Sequence, residues 1–254
     1  MNVFQAILLG IIQGVAEWMP ISSSGHLALA DHIFNITSSP LFNLSLHLGS
    51  ILALLIIFRI EIKKLLTSFF TKDVEYKELA LLIIIATAIT GVIAFLLQKN
   101  FLSFFDNLFV IATGFFITGV LLFLTKFVKE TKEKVHAADA VLIGAVQGIA
   151  LLPGISRSGS TIAVALFRNV NRVQAVRFSF LLVIPAVLGA FILEFNKNTA
   201  TEPLGILILG TIISFIVSFF MINYLLDILK KGKIHYFAYY CFALAVLTMF
   251  IAIR

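Results

Sequence analysis

The chain has 254 residues, of which 60% are hydrophobic and only 13% are charged, and its formal net charge is +6. A soluble domain would carry about twice that charged fraction, and the apolar residues fall in long blocks, so the sequence predicts an all-α integral membrane protein. The single cysteine, Cys241, excludes an intramolecular disulfide. Because the basic residues occupy short connections between apolar blocks, we expect no nucleic-acid partner and interpret the charge as a signal of membrane topology.

The first 34 residues contain two apolar segments separated by a polar break. Residues 3–19 can form a helix that a proline ends, and the break runs from Ser22 to His26. Residues 27–34 follow before the next loop. A helix of this length rises about 12 Å, much less than the hydrocarbon thickness of about 30 Å. The unit is therefore either a re-entrant hairpin or one broken spanning helix.

Three apolar blocks long enough to span a membrane follow, and the same order of elements then recurs. The predicted spans of the first half are residues 43–58, 79–97 and 108–128. The second half has an apolar segment 140–152, a polar break 153–161, a short apolar piece 162–167, and spans at 178–195, 204–227 and 235–253. Each half therefore consists of a helix–break–helix unit and three spans.

An internal repeat underlies this order. At an offset of 134 residues without gaps, the chain matches itself at Gly10/Gly144, Gln13/Gln147, Gly14/Gly148, Ala16/Ala150, Ile21/Ile155, Ser22/Ser156, Ser24/Ser158 and Gly25/Gly159. The identities lie in the polar breaks and in the apolar segment before each break. We therefore predict a single membrane domain, 1–254, built from two repeats. The first repeat is 1–128 with its hairpin at 1–34, and the second is 139–254 with its hairpin at 139–168.

The charge distribution predicts how these repeats are oriented. The connections rich in lysine and arginine are 59–77, 126–134, 168–177 and 230–233. The positive-inside rule places them in the cytoplasm, which leaves Lys99, Lys197 and Arg254 outside. Because basic connections flank the second unit on both sides, that unit must enter and leave by the same face. If the first unit is re-entrant from the opposite face, the repeats are inverted and their polar tips meet near the midplane.

The two breaks carry the candidates for chemistry. Gln13 and Glu17 are four residues apart and share one helix face. Arg157 stands among glycines and hydroxyl residues, and an arginine at bilayer depth costs about 2.5–3.5 kcal/mol, so it requires a partner or a function. Glycines allow an anion to approach the backbone, while hydroxyls and a guanidinium donate hydrogen bonds. The pattern indicates a phosphate site inside the membrane, although a purely structural Glu17–Arg157 ion pair is the alternative.

Other polar residues in the apolar segments are less specific. His26 lies beside three serines in the first break, which favours a functional role over that of a core histidine. His47, in a predicted span, is equally consistent with structural hydrogen bonding between helices and with a role behind the site. Ser160 is expected to pack. Asp31 and His32 are expected to be solvated near the outer interface.

The segments that contain these residues resemble the two signature motifs of a known family. The first reads QGVAEWMPISSSGH at 13–26, and the second reads PGISRSGST at 153–161. They are similar to the E/Q-x-x-x-E motif continuing to a histidine, and to the P-G-x-S-R-S-x-x-T motif, of the undecaprenyl-pyrophosphate phosphatases, the bacitracin-resistance proteins. Length, motif spacing and repeat organisation agree along nearly the whole chain. The first acidic position is Gln13, so any role there as base or metal ligand falls more heavily on Glu17.

The resemblance implies a hydrolase of the cell membrane that removes the terminal phosphate from a polyprenyl (undecaprenyl) diphosphate. The active site would be open to the extracytoplasmic side. The monophosphate product is a lipid carrier recycled for cell-wall polymers, and this recycling confers bacitracin resistance. The expected partners are the lipid substrate and the bilayer, and a homodimer is left open. A lipid-carrier transporter or flippase of the same fold is the alternative, because inverted repeats with broken helices are also a transporter architecture.

The resemblance also implies roles for individual residues. Arg157 would clamp phosphoryl oxygens, and Ser23 is the first choice as nucleophile, with His26 as base or alternative nucleophile. Glu17 would act as acid/base or hold a divalent cation, Mg²⁺ or Ca²⁺, together with Gln13; no organic cofactor is expected. The residues expected to bind the substrate phosphates are Ser22, Ser24, Gly25, Gly154, Ser156, Arg157, Ser158 and Thr161. A phospho-enzyme and direct attack by water both stay open.

Overall fold

The computed structural model describes residues 1–97, 101–195, 202–230 and 232–253, and these ranges are almost entirely helical. The helices are α1 (Val3–Ala16), α2 (Ser23–Phe34), α3 (Pro40–Ile57), α4 (Arg59–Thr67), α5 (Val74–Leu97), α6 (Phe101–Phe105), α7 (Leu108–Leu124), α8 (Ala137–Ile149), α9 (Arg157–Phe167), α10 (Arg172–Phe195), α11 (Leu204–Lys230) and α12 (Phe237–Ile253). Four basic residues counted in the topology argument, Lys99, Lys197, Lys231 and Arg254, lie outside the described residues.

Six helical segments in the described ranges are long and apolar enough to cross a membrane, which confirms the prediction of an all-α membrane protein. They are Pro40–Ile57, Val74–Leu97, Leu108–Phe127, Arg172–Ile192, Leu204–Ile228 and Ile234–Ile253. The largest differences from the predicted spans occur at N-terminal ends, where helices begin at Val74 and Arg172 rather than at 79 and 178. The reason is that polar first turns extend these helices beyond their apolar blocks.

Four shorter helices form the two helix–break–helix units. The longest of them, α1, has 14 residues, and at 1.5 Å per residue it covers about 21 Å, too little to cross a hydrocarbon core. Both second helices begin inside the predicted polar breaks. Their N-caps are Ser22 and Ser156, whose side chains accept hydrogen bonds from the amides of Gly25 and Gly159. The breaks are therefore shorter than predicted, because their hydroxyl residues start helices.

Local backbone features recur at the offset of 134 residues. The matched features are the N-cap serines of α2 and α9, the left-handed residues Asn35 and Asn169 that follow those helices, and the first-turn hydrogen bonds Asn2–Gln5 and His136–Asp139. In each of those first turns a side-chain oxygen accepts from the backbone N–H three residues earlier, at 2.9 Å in α1 and 3.1 Å in α8. The two units thus use the same helix starts and stops.

Helices from the two halves of the chain pack against each other. Helix α1 lies along α11, α8 lies along α5, and α7 lies along α12. Glycines permit the first two contacts, because a Cβ at Gly14 would come 2.6 Å from the Cβ of Val217, and one at Gly148 would come 2.6 Å from the Cβ of Ile93. Small residues at such contacts are typical of membrane helices, whose backbones must approach closely to gain packing energy.

The connections that flank the second unit are joined to each other. Lys132 pairs with Val170 as an isolated bridge, and the Lys132 amide donates to the carbonyl of Asn169 at 2.8 Å. The buried carboxylate of Asp139, in the first turn of α8, accepts from Arg168 at 2.8 Å and lies 3.4 Å from the Lys132 amine. The chain therefore enters and leaves this unit at one place.

Asp31, which was expected to be solvated, is partly buried. Its carboxylate accepts a hydrogen bond from the hydroxyl of Ser38, which itself accepts from Asn43 at 2.9 Å. The left-handed residue Asn35 turns the chain back after α2 and brings this loop over the carboxylate. The expectation was wrong for Asp31 because that turn cannot be recognised from the neighbouring sequence alone, whereas His32 is exposed as expected.

Candidate functional site

The carboxylate of Glu17, just after α1, is the centre of the polar cluster. Its side chain is 5% exposed, and one oxygen, Oε1, accepts from the Nη2 of Arg157. The other oxygen, Oε2, accepts from Ser23 Oγ at 2.6 Å and from Gln13 Nε2 at 3.0 Å. The Nδ1 of His47 lies 3.1 Å from the same oxygen. Side chains from α1, α2, α3 and α9 therefore meet at one buried charge.

The side chains of the first residues of two helices contact this carboxylate. Ser23 is the first residue of α2 and Arg157 is the first residue of α9. The backbone N–H groups of a helix N-terminus and its macrodipole favour an anion. Folding thus creates a place for negative charge from both breaks, and Glu17 occupies part of it.

Arg157 has hydrogen-bonding capacity to spare. Its side chain is 15% exposed, and its Nη1 is buried without a hydrogen-bond partner among the described residues, while Nη2 contacts Glu17. Leaving a buried donor unpaired costs about 1–3 kcal/mol, and more for a charged group. An anion with several oxygens, such as a phosphate, would satisfy this donor with the planar geometry that guanidinium prefers.

Several predicted phosphate-binding residues hold the backbone of the breaks. The Thr161 hydroxyl lies 2.8 Å from the Arg157 carbonyl and 2.6 Å from Ser179 Oγ. Ser158 Oγ approaches the carbonyls of Glu17 and Met19, each at 3.4 Å. Both hydroxyls therefore contact backbone carbonyls or Ser179 rather than the unpaired nitrogen of Arg157.

The remaining predicted phosphate-binding residues cap helices or bring the two breaks together. Ser22 and Ser156 are the N-caps described above, and the hydroxyl of Ser24 lies 3.3 Å from that of Ser22. Gly25 of the first break packs on Gly154 of the second, since a Cβ at Gly25 would come 2.9 Å from the Gly154 Cα. The breaks thus touch at their glycines, and only side chains this small permit the contact.

Thr118, in α7, fixes the second break and was missed by sequence reasoning. Its hydroxyl donates to the Gly154 carbonyl at 2.9 Å and accepts from the Ser156 amide at 2.9 Å. Gly154 has a φ of +87°, a backbone conformation that favours glycine. No signal in the sequence distinguishes this threonine from a packing residue in an apolar span.

His26 faces a different partner from the one expected. Its Nδ1 lies 2.7 Å from the Ser22 carbonyl oxygen, so Nδ1–H must donate, and Nε2 accepts from the hydroxyl of Tyr240 at 2.8 Å. The two rings are parallel, with centroids 5.7 Å apart, and Phe115 meets His26 edge-on. The two ring nitrogens of His26 therefore bond to Ser22 and to Tyr240, a residue of α12 that the sequence did not single out.

The copies of the repeated glutamine have different environments. Gln13 Nε2 donates to Glu17 and also lies 2.8 Å from His47 Nδ1, whereas Gln147 donates to Thr90 of α5 at 3.2 Å. His47 therefore contacts Gln13 and Glu17, both residues of the predicted site, through its Nδ1.

The donor set around Glu17 also bears on the expected cation. Gln13 and Glu17, the two predicted ligands, are adjacent, and Gln13 Oε1 is buried without a partner among the described residues. In those residues no group of three or more His, Cys, Asp or Glu is arranged to hold a metal. A carboxylate, an amide and an imidazole nevertheless form a donor set that suits a divalent ion.

The fold and the site together define a class: a polytopic membrane protein with a buried polar site where two helix–break–helix units meet. The chain belongs to the bacitracin resistance protein BacA family, whose model matches residues 6–247. This match confirms the resemblance seen in the two motifs.

Relatives of nearly equal length support the same assignment. Proteins named undecaprenyl-diphosphatase include one from Carboxydothermus hydrogenoformans, 41% identical over 97% of this chain and 96% of its own length. A relative from Treponema denticola is 42% identical over 97% of this chain and 96% of its own length. One from Korarchaeum cryptofilum is 38% identical over 95% and 96%. The similarity therefore covers both units and all six long helices.

Proposed function

We propose that this protein is an undecaprenyl-diphosphatase, a membrane hydrolase that converts a polyprenyl diphosphate to the monophosphate and inorganic phosphate. The family and the names of its full-length relatives support the activity. The observation that supports specific residue roles is the environment of the Glu17 carboxylate. It contacts both a serine hydroxyl and an arginine with an unpaired donor. Hydrolysis of a phosphoric anhydride through a phospho-enzyme uses a nucleophile, a base and an anion-binding donor, and these three groups can supply them.

Arg157 binds the terminal phosphate in this mechanism. Its unpaired Nη1 takes one phosphoryl oxygen, and the N-terminus of α9 adds backbone dipoles of the same sign. Negative charge that develops on the phosphoryl oxygens in the transition state is then stabilised by donors that are already oriented.

Ser23 supplies the nucleophile. As its Oγ attacks the terminal phosphorus, the hydroxyl proton passes to Glu17 Oε2, 2.6 Å away, and the anhydride P–O bond breaks to release the polyprenyl monophosphate. Water then cleaves the Ser23 phosphate ester, releasing inorganic phosphate and restoring the serine. His26 is the candidate base for that water, once the Tyr240 hydroxyl has left its Nε2.

A divalent cation fits beside these groups. Held by Glu17 with Gln13, it would neutralise part of the diphosphate charge and polarise its oxygens. The nucleophile, its base and the anion-binding arginine are all supplied by the chain itself.

We also propose that the two short-helix units are re-entrant hairpins in an inverted repeat, with the site open to the extracytoplasmic side. The short helices, the recurring caps and the joined connections around Lys132 and Val170 support this arrangement. Single cysteines at positions 132 and 172, in a variant without Cys241, should be labelled from the same side of the membrane. Labelling from opposite sides would exclude a re-entrant second unit.

The activity is tested by phosphate release from a polyprenyl diphosphate by purified protein in detergent, with and without Mg²⁺ or Ca²⁺. Glu17→Ala and Arg157→Ala should each lower the rate at least about 100-fold, as expected for an acid/base group or a transition-state donor. Ser160→Ala is the matched control, because this buried serine hydroxyl has no hydrogen-bond partner among the described residues. Absence of release above background under every condition would refute the proposed activity.

A lipid-carrier transporter of the same fold is the competing function. It also requires a phosphate site, but it does not require a serine hydroxyl held 2.6 Å from a carboxylate. Reconstituted vesicles separate the two functions, because a transporter moves labelled polyprenyl monophosphate between leaflets without releasing phosphate.

A further inference from the structure

The connection between α4 and α5 exposes a group of large apolar side chains just before the apolar block of α5. Phe70 is 92% exposed, and Leu66, Phe69 and Val74 are exposed as well. We call residues 66–74 the tip. Single apolar residues are common on protein surfaces, but several close together usually mark a site of contact with a protein or a membrane. The tip is therefore expected to be covered by a partner.

The protein itself covers only one side of α4. Ile62 and Leu65 pack against the main hydrophobic cluster, and Glu61 pairs with Arg177 of α10 at 3.1 Å. These contacts fix α4 against the helix bundle, while Leu66 stays exposed. The exposed surface of the tip is thus held in place and is available from outside.

Three lysines accompany the exposed apolar residues, and we call them the tip lysines. They are Lys63, Lys72 and Lys77, which are exposed and form no ion pair in the ranges that the structure describes. The acidic residue beside them in the chain, Asp73, accepts from the Tyr76 amide at 3.2 Å and caps the start of α5. The tip therefore combines apolar and positively charged side chains.

The other acidic residues of this region lie beside basic groups of different connections. Glu61 is paired with Arg177, and Glu75 and Glu78 line a small cavity together with Lys134 and the same arginine. These carboxylates are thus close to other cations, whereas the tip lysines are not engaged in this way. The positive charge of the tip is available to a negatively charged partner.

The flanking helices determine how deep the tip lies in the bilayer. Helix α3 ends at Ile57, just before α4, and α5 begins at Val74, before the apolar block that starts at 79. At 1.5 Å per residue, Val74 lies about 7–8 Å beyond the hydrocarbon, and the headgroup layer is about 5–8 Å thick. The tip is therefore at headgroup depth, and the positive-inside rule assigns it to the cytoplasmic leaflet.

We propose that the tip binds the anionic phospholipids of the cytoplasmic leaflet. Leu66 and Phe70 insert among the headgroups, and the tip lysines contact the lipid phosphates. Apolar and basic side chains together are typical of segments that lie on anionic membranes, where each lysine strengthens binding about fivefold. A protein partner fits less well, because lysine is depleted in protein–protein interfaces. None of these residues belongs to the Glu17 cluster, so the inference does not depend on the hydrolase function.

The test measures contact between the tip and lipids in the full-length protein. A Cys241→Ala variant with Thr71→Cys carries an environment-sensitive fluorophore at an exposed position of the tip. The protein is placed in nanodiscs of phosphatidylcholine, with or without phosphatidylglycerol, that contain a lipid with a nitroxide at its headgroup. We expect quenching to be at least about twofold stronger with phosphatidylglycerol, and high salt should remove the difference.

Two triple variants determine whether the tip lysines cause this difference. Lys63→Gln, Lys72→Gln and Lys77→Gln together should abolish it. The matched control changes three exposed lysines of another connection and should keep it: Lys126→Gln, Lys129→Gln and Lys134→Gln. Unfolding midpoints in detergent should be unchanged in both variants, which separates lost lipid contact from a damaged fold.

Three outcomes would overturn the proposal. Equal quenching in the two lipid compositions would show that the tip has no preference for anionic lipids. A difference that survives in the variant without the tip lysines, or disappears equally in the control, would show that another part of the surface is responsible. Absence of quenching in both compositions would place the tip in water, where a soluble protein could cover it.

Discussion

Ser23 and Arg157 occupy equivalent positions of the repeat, 134 residues apart, and both bind the carboxylate of Glu17. Each is the first residue of a helix whose N-cap is a serine. The backbone is thus alike while the side chains differ, since one copy presents a hydroxyl and the other a guanidinium. Divergence at this one position places a hydroxyl and a guanidinium on the same carboxylate.

Removing the Ser23 hydroxyl tests its role in attack. Ser23→Ala should lower phosphate release at least about 100-fold, because Glu17 would retain its position but have no hydroxyl to deprotonate. The measurement is a steady-state rate on polyprenyl diphosphate, with correct folding verified by the thermal unfolding midpoint. A rate within about threefold of the unmodified protein would favour direct attack by water and exclude a Ser23 phosphate ester.

Changes to the Glu17–Arg157 pair should affect the stability of the protein and its activity differently. Arg157→Ala alone leaves a buried carboxylate without its cation, and breaking such a pair typically costs about 3–5 kcal/mol. Adding Glu17→Gln to that variant should recover much of the lost stability, because the uncompensated charge is gone, but it should not recover activity. Unfolding midpoints and phosphate release on the same preparations provide the comparison. Recovery of activity in the double variant would contradict the roles assigned to both residues.

The Tyr240 hydroxyl holds the His26 ring in one orientation. Tyr240→Phe keeps the parallel rings and removes only the 2.8 Å hydrogen bond to Nε2. This bond must break before His26 Nε2 can accept a proton from water, and one hydrogen bond contributes about 0.5–1.5 kcal/mol, so we expect kcat to rise roughly 3- to 10-fold. Tyr239→Phe is the matched control, because that ring is exposed and packs on Phe123. Equal changes in kcat for the two variants would show that the function of His26 does not depend on the Tyr240 hydroxyl.

The second break should not tolerate a side chain at Gly154. Its φ is +87°, and an added Cβ would overlap the Ile111 carbonyl and lie 2.9 Å from the Phe115 amide. The backbone conformation alone makes Gly154→Ala unfavourable by about 1–3 kcal/mol. Gly189→Ala is the control, since a Cβ there meets no atom within 4 Å. The unfolding midpoint should fall for the first variant only, and equal midpoints would show that the break can rearrange.

The stability of the loop that follows α2 should depend on pH through Asp31. Burial raises the pKa of this carboxyl from 3.8 to about 6, and the hydrogen bonds from Ser38 offset only part of that shift. The folded protein then holds this proton more tightly than the unfolded chain does. The resulting stabilisation is fully present below pH 3.8 and is lost as the pH rises through about 6.

An amide at this position should abolish that dependence. The unfolding midpoint should decline less between pH 4 and 7 in Asp31→Asn than in the unmodified protein. The exposed control Asp106→Asn should show the same decline as the unmodified protein. Identical pH profiles for Asp31→Asn and the unmodified protein would contradict the assignment.

The long spans and the Glu17–Arg157 pair could be predicted because their signals are strong. An apolar block of about 20 residues has few alternatives to a membrane helix, and a carboxylate and a guanidinium at the tips of two repeated breaks compensate each other. The capping serines were recognised as polar, but their use as helix starts was not, because a hydroxyl that caps and one that binds phosphate have the same sequence context.

His47, Thr118 and Tyr240 could not be assigned for a different reason. Each lies in a long apolar block, where a lone polar residue has the same pattern whether it packs between helices or reaches a site. Their roles depend on how α3, α7 and α12 are placed around the first and second units. That placement follows from close helix contacts between residues far apart in sequence, which neither periodicity nor charge encodes.

Helix α1 packs on α11 and helix α8 packs on α5, so each half of the chain is stabilised by helices of the other half. A polypeptide interrupted near 129–134 would produce two fragments, each with a helix whose glycine packs on a helix of the other fragment. Neither fragment carries both Glu17 and Arg157. Activity should therefore appear only when the two fragments are co-expressed and assemble.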